Sequence, residues 1–220
     1  MRFRLIVLAL GTFAIGTGSF VLAGPLEEVA RDLSVSVGTA GNLVTAFAIT
    51  YAVSSPVLVT LVGSAAPRRV LVAAMAVFVL GNAAAVAAPT FGLLVLCRIL
   101  AACGAAVFTP TALAVAAGLA SPQERGRSLS VVTGGITISF VIGIPLGSII
   151  GTYSGWRMTF VMVAVLGVVA LVGVRALLPD VEGPPVVGFG DRVDALGRPA
   201  VLVALCLTTL GLMGGFVVFT

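Results

Sequence analysis

Lysine and histidine are both missing from this 220-residue sequence, and charged residues of any kind make up only 9% of it. Without histidine, neither a histidine proton relay nor a histidine-ligated metal site can be built from this chain. The three cysteines, Cys97, Cys103 and Cys206, all fall within apolar segments and show no CxxC spacing. A thiol in such surroundings behaves as a small hydrophobic side chain. We therefore predict no metal site, no disulfide and no cofactor.

Acidic residues are few, and none lies within an apolar run. A membrane-embedded enzyme would need acids, histidines or cysteines clustered at a catalytic spacing, so the sequence does not predict an enzyme. The net charge of +4 comes from 12 scattered arginines without an aromatic-interleaved basic face, which argues against a nucleic-acid partner. All eight acids fall in stretches predicted as loops: Glu27, Glu28, Asp32, Glu124, Asp180, Glu182, Asp191 and Asp194.

Hydrophobic residues, in contrast, make up 60% of the sequence, more than one soluble core of this size could bury. A helix needs about 20 mostly apolar residues to cross a bilayer, and it pairs its own backbone polar groups there. Seven such runs predict an all-α membrane protein whose main partner is the lipid bilayer. They cover residues 5–24, 41–63, 70–88, 91–118, 129–151, 158–178 and 199–220.

Arginine positions predict the orientation, because short cytoplasmic loops keep positive charge. Alternating loops place only Arg31 and Arg157 on one side. We therefore expect a multi-pass protein of the cell membrane with a cytoplasmic N-terminus. The nine arginines of the other side are Arg2, Arg4, Arg68, Arg69, Arg125, Arg127, Arg175, Arg192 and Arg198.

The polar stretch 179–198 is rich in proline, glycine and acidic residues, which predicts a cytoplasmic linker. It separates a six-helix bundle, residues 1–178, from a seventh helix at 199–220. Because the sequence ends within an apolar run, we expect these residues to be the N-terminal part of a longer protein that cannot transport by itself.

The fifth run carries a row of small residues. Glycine or serine recurs every four positions and lets a neighbouring helix approach closely, which gives either a static packing seam or a pliable one. Pro145 lies among them and removes one backbone hydrogen bond. Ahead of the run, Ser121 to Glu124 reads as a capping box that predicts a helix start there. The row consists of Gly135, Ser139, Gly143, Gly147 and Gly151.

One spacing occurs twice in the sequence. Pro56 precedes Arg68 by 12 positions, and Pro145 precedes Arg157 by the same 12, with 89 positions between the copies. If the first three helices repeat as the next three, the copies have opposite orientations, since three is odd. This is the inverted-repeat plan of many secondary transporters.

The sequence resembles drug:proton antiporters of the major facilitator superfamily, particularly chloramphenicol-resistance and arabinose-efflux-like exporters. The resemblance lies in residues 143–147, Gly-Ile-Pro-Leu-Gly, in the loop 155–160, Gly-Trp-Arg-Met-Thr-Phe, and in matches within helices one and four. It implies a major facilitator fold with twelve helices in the whole protein, monomeric and driven by alternating access. It also implies coupling or gating roles for Arg98, Gly143, Pro145, Gly147, Arg68, Arg69, Gly155, Trp156 and Arg157.

Two departures from the family pattern limit what the resemblance implies. In the loop after helix two, Ser64 and Ala65 replace the family's acid and first base. The alternative role of Arg68 and Arg69 is therefore only to hold that loop in the cytoplasm. In helix one, this sequence has Gly18-Ser19-Phe20 at the positions where many relatives place a carboxylate. A coupling acid, if protons are exchanged, must lie beyond residue 220 or at an interface.

Apart from Arg175 near the end of the sixth run, Arg98 is the only charge within an apolar run, and such a charge costs several kcal/mol unless it finds a partner or water. The resemblance implies a part in proton coupling, and snorkelling of the side chain to the interface is the alternative. We expect a cavity for apolar or amphiphilic small molecules lined by Phe13, Thr17, Phe20, Phe108 and Thr109. The alternatives are a sugar or metabolite exporter of the same superfamily, a non-transporting membrane module and a membrane-embedded enzyme.

Overall fold

The computed structural model describes residues 2–179 together with Val203 and Cys206. Residues 2–179 all lie in the first of the two units into which the chain divides, Met1–Pro184. The predicted linker and seventh helix lie outside the described residues, apart from Pro179, Val203 and Cys206.

Every regular element in residues 2–179 is helical, as the apolar runs predict. A 3-10 turn, Val21–Ala23, follows the first helix, and a π-helical segment, Ser139–Gly143, separates the sixth from the seventh. The eight α-helices are α1 (Arg2–Phe20), α2 (Leu26–Asp32), α3 (Val37–Leu61), α4 (Pro67–Val86), α5 (Phe91–Leu119), α6 (Arg125–Ile138), α7 (Ile144–Ser154) and α8 (Trp156–Leu177).

Six continuous helical stretches are long and apolar enough to cross a bilayer. We call them spans 1 to 6. Their bounds are Arg2–Ala23, Val37–Leu61, Pro67–Val86, Phe91–Leu119, Arg125–Ser154 and Trp156–Leu177. Spans 2 and 5 begin four residues before the apolar runs that predict them. At span 2, a capping side chain lets the helix begin ahead of the apolar run. Ser36 supplies such a cap by accepting a hydrogen bond from the Thr39 amide.

Two local predictions are wrong. The acids Glu27, Glu28 and Asp32 belong to α2 and not to a loop without helical structure. Ser121 does not cap a helix: its hydroxyl donates to the Glu124 carboxylate at 3.4 Å, and the Glu124 amide donates to the Ser121 carbonyl at 2.9 Å. A turn therefore occupies these positions, and α6 begins only at Arg125.

Helix packing follows the predicted inverted repeat. Span 1 packs on spans 5 and 6, and span 4 packs in the same way on spans 2 and 3. Spans 3 and 6 pack on each other. This pattern is unchanged when spans 1, 2 and 3 are exchanged with spans 4, 5 and 6. The 3+3 inverted repeat within the six-helix bundle is therefore confirmed.

The two ends of the bundle differ in charge. The end that holds the N-terminus carries seven arginines of the described residues, whereas the opposite end carries Arg31 and Arg157 with three acids. We call these the N-terminal end and the far end. Spans 3 and 6 run in opposite directions between them, so that the start of each span lies beside the end of the other.

Candidate functional site

Arg98 lies inside the bundle, with 1% of its surface exposed. Its Nη1 donates to the Gly18 carbonyl at 2.8 Å and its Nη2 to the Ser19 carbonyl at 3.2 Å, both at the end of α1. The guanidinium carbon lies 4.3 Å from the centroid of the Phe47 ring of span 2. Arg98 therefore connects spans 1, 2 and 4 and does not snorkel to an interface.

The end of α1 explains why a cation is tolerated there. The last carbonyls of a helix lack partners within the helix and carry the negative end of its dipole, and α1 ends at Phe20. The ring face of Phe47 adds a favourable cation–π contact. Among the residues that the structure describes, no acid pairs with Arg98, so backbone carbonyls and an aromatic ring take the place of a counter-ion.

The small-residue row of span 5 faces span 1 along its whole length. A Cβ placed on Gly135 would lie 2.1 Å from the Ala9 carbonyl oxygen, and one placed on Gly143 would lie 2.0 Å from Thr17 Oγ1. A Cβ on Gly147 would lie 2.5 Å from Val21 of span 1, and one on Gly151 would lie 3.0 Å from Pro25, just beyond the end of span 1. The predicted seam is therefore the span 1–span 5 contact, where glycine backbone meets the Ala9 backbone at one point and side chains such as Thr17 and Val21 at others.

Span 1 contributes small and hydroxyl residues to the same seam. A Cβ on Gly16 would lie 2.2 Å from Ser139 Oγ. The Thr12 hydroxyl donates across the seam to the Val132 carbonyl at 2.6 Å. No sequence pattern singled out Thr12 and Gly16, because the other glycines of the same helix, Gly11 and Gly18, face spans 3, 4 and 6.

The π-helical segment Ser139–Gly143 lies in the middle of the seam, and α7 begins directly after it. Pro145 occupies the first turn of α7, where a missing N–H costs little, and its side chain is exposed on the side away from span 1. A π segment loosens the regular hydrogen-bond ladder and is a usual place for a helix to bend. Span 5 is thus interrupted where span 1 touches it most closely.

The Gly155-Trp156-Arg157 turn forms a second cluster at the far end. Gly155 has φ = 88°, a conformation that glycine adopts without strain. Trp156 Nε1 donates to Asp32 Oδ2 at 3.1 Å, and Arg157 Nη1 donates to the same oxygen at 2.5 Å. Arg157 Nη2 also donates to the Ala88 carbonyl at 3.3 Å. We call Asp32, Ala88, Trp156 and Arg157 the outer clamp.

In the outer clamp, a partly exposed charged pair lies beside a buried tryptophan. The hydrogen bond from Arg157, and then the one from Trp156, lower the pKa of the Asp32 carboxyl below its usual value. The Arg157 guanidinium lies 4.2 Å from the centroid of the Trp156 ring. Trp156 itself is only 2% exposed and meets the Phe160 ring edge to face. Nothing in the sequence singled out Asp32, because acids in polar stretches are common.

At the N-terminal end, Arg68 Nη2 donates to the Arg175 carbonyl at 2.6 Å and so ties the start of span 3 to the end of span 6. Arg157 does the reverse at the far end, tying the start of span 6 to the end of span 3 through Ala88. Arg68 and Arg157 are the two arginines of the repeated spacing. Arg69, the neighbour of Arg68, is exposed.

The five predicted cavity residues are divided between the interior and the surface of the bundle. Thr17 lies in the span 1–span 5 seam, and Phe108 packs against Gly11, both fully buried. Thr109 is 7% exposed, whereas Phe13 and Phe20 are half-buried. The centroids of the Phe20 and Phe140 rings lie 5.4 Å apart. Only Phe13 and Phe20 therefore offer surface to a ligand without a change in packing.

Two further features bear on what the site can bind. Thr17 Oγ1, Thr109 Oγ1 and Arg98 Nε are buried without a hydrogen-bond partner. No group of three acids or cysteines that could hold a metal ion occurs in the part of the chain that the structure describes. The chemistry offered is thus that of hydroxyls, a guanidinium and aromatic rings.

Sequence comparison agrees with this architecture. The 35% identical MFS-type transporter YbcL of Bacillus subtilis matches 99% of this chain, and the 38% identical chloramphenicol resistance protein of Streptomyces lividans matches all of it. The inner membrane transport protein YdhP of Escherichia coli is 33% identical. In each case the matched region is 56–57% of the relative. The chain thus spans little more than half the length of these curated relatives.

Comparison with solved structures gives the same fold. A peptide transporter crystallised with alafosfalin superposes with a TM-score of 0.70 at 15% identity, over 95% of this chain and 45% of that one. At this identity the match shows the fold alone. The family model of the Major Facilitator Superfamily matches residues 8–220. With six apolar spans in an inverted repeat, the chain belongs to the Major Facilitator Superfamily of membrane transporters.

Proposed function

We propose that this chain is the N-terminal half of a secondary transporter that exports small apolar or amphiphilic compounds in exchange for protons. In this proposal the N-terminal end of the bundle faces the cytoplasm, because it carries the excess of arginine. The far end, with the outer clamp, faces outward. Similarity to a chloramphenicol resistance protein over the whole chain supports drug export.

The buried Arg98 is the observation that carries the proposal. It is held by carbonyls and an aromatic ring, without an acid among the described residues. Such an arrangement keeps a full positive charge within the membrane region, where ionisable groups mark ion or substrate pathways. In our proposal the charge of Arg98 responds to a proton or a substrate that enters beside span 1.

The span 1–span 5 seam supplies the moving part. Glycine leaves span 5 without side chains that would interlock with span 1 at these contacts, so the two helices can slide, and the π segment lets span 5 bend. Phe13 and Phe20, half-buried on span 1, supply apolar surface for the exported compound. Glycine at 143 and 147 and proline at 145 thus act as gating residues.

Transport measurements on the whole gene product test the proposal. We expect proteoliposomes containing it to move a labelled hydrophobic drug such as chloramphenicol, and an imposed pH gradient to set the direction and rate of that movement. Drug flux that is indifferent to the gradient would remove proton exchange and keep the transporter. Movement of sugars in place of drugs would overturn the substrate class.

Arg98→Lys and Arg98→Met then separate charge from shape. Lysine keeps the charge and can still stack on Phe47, but it lacks the two-pronged donor that meets both carbonyls. We expect Arg98→Lys to keep part of the gradient-driven flux and Arg98→Met to lose at least about tenfold, a change of roughly 1.4 kcal/mol in the barrier. Equal flux in all three proteins would contradict a role for Arg98.

A further inference from the structure

Three segments of the far end are joined through Asp32 and Arg157. Asp32 Oδ2 belongs to α2, between spans 1 and 2, and it accepts from Trp156 and Arg157 at the start of span 6. Arg157 reaches on to Ala88, between spans 3 and 4. The contacts join residues 69 and 125 positions apart in the sequence. No other described acid forms an ion pair of this kind.

An isolated surface ion pair contributes little, because solvent screens it and two side chains must be ordered. The outer clamp differs from an isolated pair in three ways. Its acceptor oxygen takes two donors, one guanidinium serves both a carboxylate and a backbone carbonyl, and the same guanidinium stacks on the Trp156 ring. Groups that are already ordered by one contact lose less entropy in making the next.

We propose that Asp32 is a positioning residue for transport, which holds Trp156 and Arg157 in place and makes the far ends of the spans move as one body. This inference rests on the proposed transport function. It assigns to α2 the role of a brace, because α2 carries Asp32 and also places Glu28 beside the Gly155 turn, 3.6 Å from the position of a Cβ there.

Alternating access moves a whole bundle against its partner. A bundle that bends at the span 1–span 5 seam transmits this motion to its far end only if the far ends of its spans stay together. At the N-terminal end, Arg68 already ties span 3 to span 6. The outer clamp supplies the matching tie at the far end and adds the loop between spans 1 and 2, which gives the bundle two fixed ends.

Trp156 offers a direct measurement, since it is the single tryptophan of the 220-residue sequence. With 2% of its surface exposed, we expect its fluorescence in this chain to resist quenching by iodide. Asp32→Ala removes the acceptor of its Nε1 and should raise the quenching constant by roughly threefold, because a local contact opens without global unfolding. Glu27→Ala is the matched control, an exposed acid on the same helix.

Exchange of charges separates positioning from general damage to α2. The double variant Asp32→Arg, Arg157→Asp restores opposite charges with the positions reversed. We expect its quenching constant to return part of the way toward that of the unmodified chain, because arginine at position 32 restores the ion pair but cannot accept from Trp156 Nε1. Equal quenching constants for Asp32→Ala and Glu27→Ala would overturn the clamp. Failure of the exchanged pair to recover any protection, when Asp32→Glu does recover it, would also overturn the ion pair as its basis.

Transport by the whole gene product completes the test. We expect Asp32→Ala to lower the maximal rate by about fivefold, at unchanged half-saturation and unchanged amount of folded protein, and Glu27→Ala to have no effect. A normal rate with an exposed Trp156 would overturn the positioning role. If the unmodified protein moves no substrate, the proposed function fails, and the tryptophan measurement still decides whether the clamp exists.

Discussion

Spans 1 and 5 cross in the same way as spans 4 and 2, yet the two contacts are built from different residues. Gly143 lies at the span 1–span 5 crossing. Its counterpart 89 positions earlier, at the span 4–span 2 crossing, is Ser54, whose Oγ lies 3.7 Å from Cys103 Sγ. Ala9 presents its carbonyl to Gly135 in one, whereas its counterpart Arg98 stacks on Phe47 in the other. The first crossing is built from glycines that meet backbone and small side chains, and the second uses larger side chains on both spans.

The repeated prolines show the same contrast. Pro56 lies within α3, which continues as one helix from Val37 to Leu61. Pro145, its counterpart, follows the π segment Ser139–Gly143. The two copies of the repeat therefore differ. The span 4–span 2 crossing is anchored by a charge, whereas the span 1–span 5 crossing is lined with glycine and interrupted by a π segment. We infer that the span 1–span 5 crossing is the one that yields when the bundle changes shape.

Adding a side chain at the span 1–span 5 crossing should have the largest effect on stability. A Cβ at position 135 would lie 2.1 Å from the Ala9 carbonyl oxygen, so Gly135→Ala forces backbone to shift and should cost about 3 kcal/mol. The neighbouring Gly134 has open space around its Cβ position, and Gly134→Ala should be neutral or stabilising by up to about 1 kcal/mol. Thermal melting of the two purified variants measures the difference. Similar melting temperatures would break the comparison between the crossings.

The anchored crossing should respond to loss of either partner, and the two losses should overlap. Arg98→Met leaves the carbonyls of Gly18 and Ser19 without a donor, at about 1–3 kcal/mol, and Phe47→Leu removes the ring face. Because the contact is desolvated, we expect a coupling energy of about 1–2 kcal/mol in the double-mutant cycle. Unfolding by denaturant in mild detergent gives the four free energies. Additive losses would show that the ring and the guanidinium do not interact.

The two prolines should differ in function more than in stability. Pro145→Ala lets a regular helix form across the π segment, and we expect the transport rate per folded protein to fall by about threefold to tenfold, or roughly 1 kcal/mol in the barrier. Pro56→Ala in the continuous α3 serves as the control and should leave the rate unchanged. Equal rates in the two variants would remove the distinction between a bending and a fixed crossing.

The smallest effect should come from acid. Since hydrogen bonds from Arg157 and then Trp156 lower the pKa of Asp32 below 3.8, the carboxylate contributes fully above that pH. The contribution is lost as the pH falls through the lowered folded-state value. We expect iodide quenching of Trp156 to stay constant from pH 7 to pH 4 and to rise only in stronger acid. In Asp32→Asn the acid-dependent rise should disappear.

The sequence predicts features that depend on one stretch of chain at a time. Six of the apolar runs are membrane spans in the structure, because crossing lipid demands length and low polarity within each segment. The small-residue row predicts close contact with a neighbour, and the repeated spacing of Arg68 and Arg157 predicts the inverted repeat. Position 98 stands out because a charge in an apolar run is rare.

Other features escape sequence reasoning because their signals are common. The helix α2 has apolar residues at helical spacing, Leu26, Val29 and Ala30, but seven residues are too few for that spacing to identify a helix. The turn at Ser121 uses the same residues as a helix cap. Phe47 and Asp32 are ordinary residues of their segments. Each becomes notable only through a partner, Arg98 for Phe47 and Arg157 for Asp32, and a single sequence does not say which residues will meet.

The sequence alone thus determined the class of protein and the six spans that the structure describes, because the polarity of each segment decides whether it can enter a bilayer. Tertiary structure decided the partners. It chose span 1 for the glycine row, helix-end carbonyls for Arg98, and Asp32 for an arginine 125 positions away. Those choices depend on how six helices pack against one another, and packing is a property of shapes brought together across the whole chain.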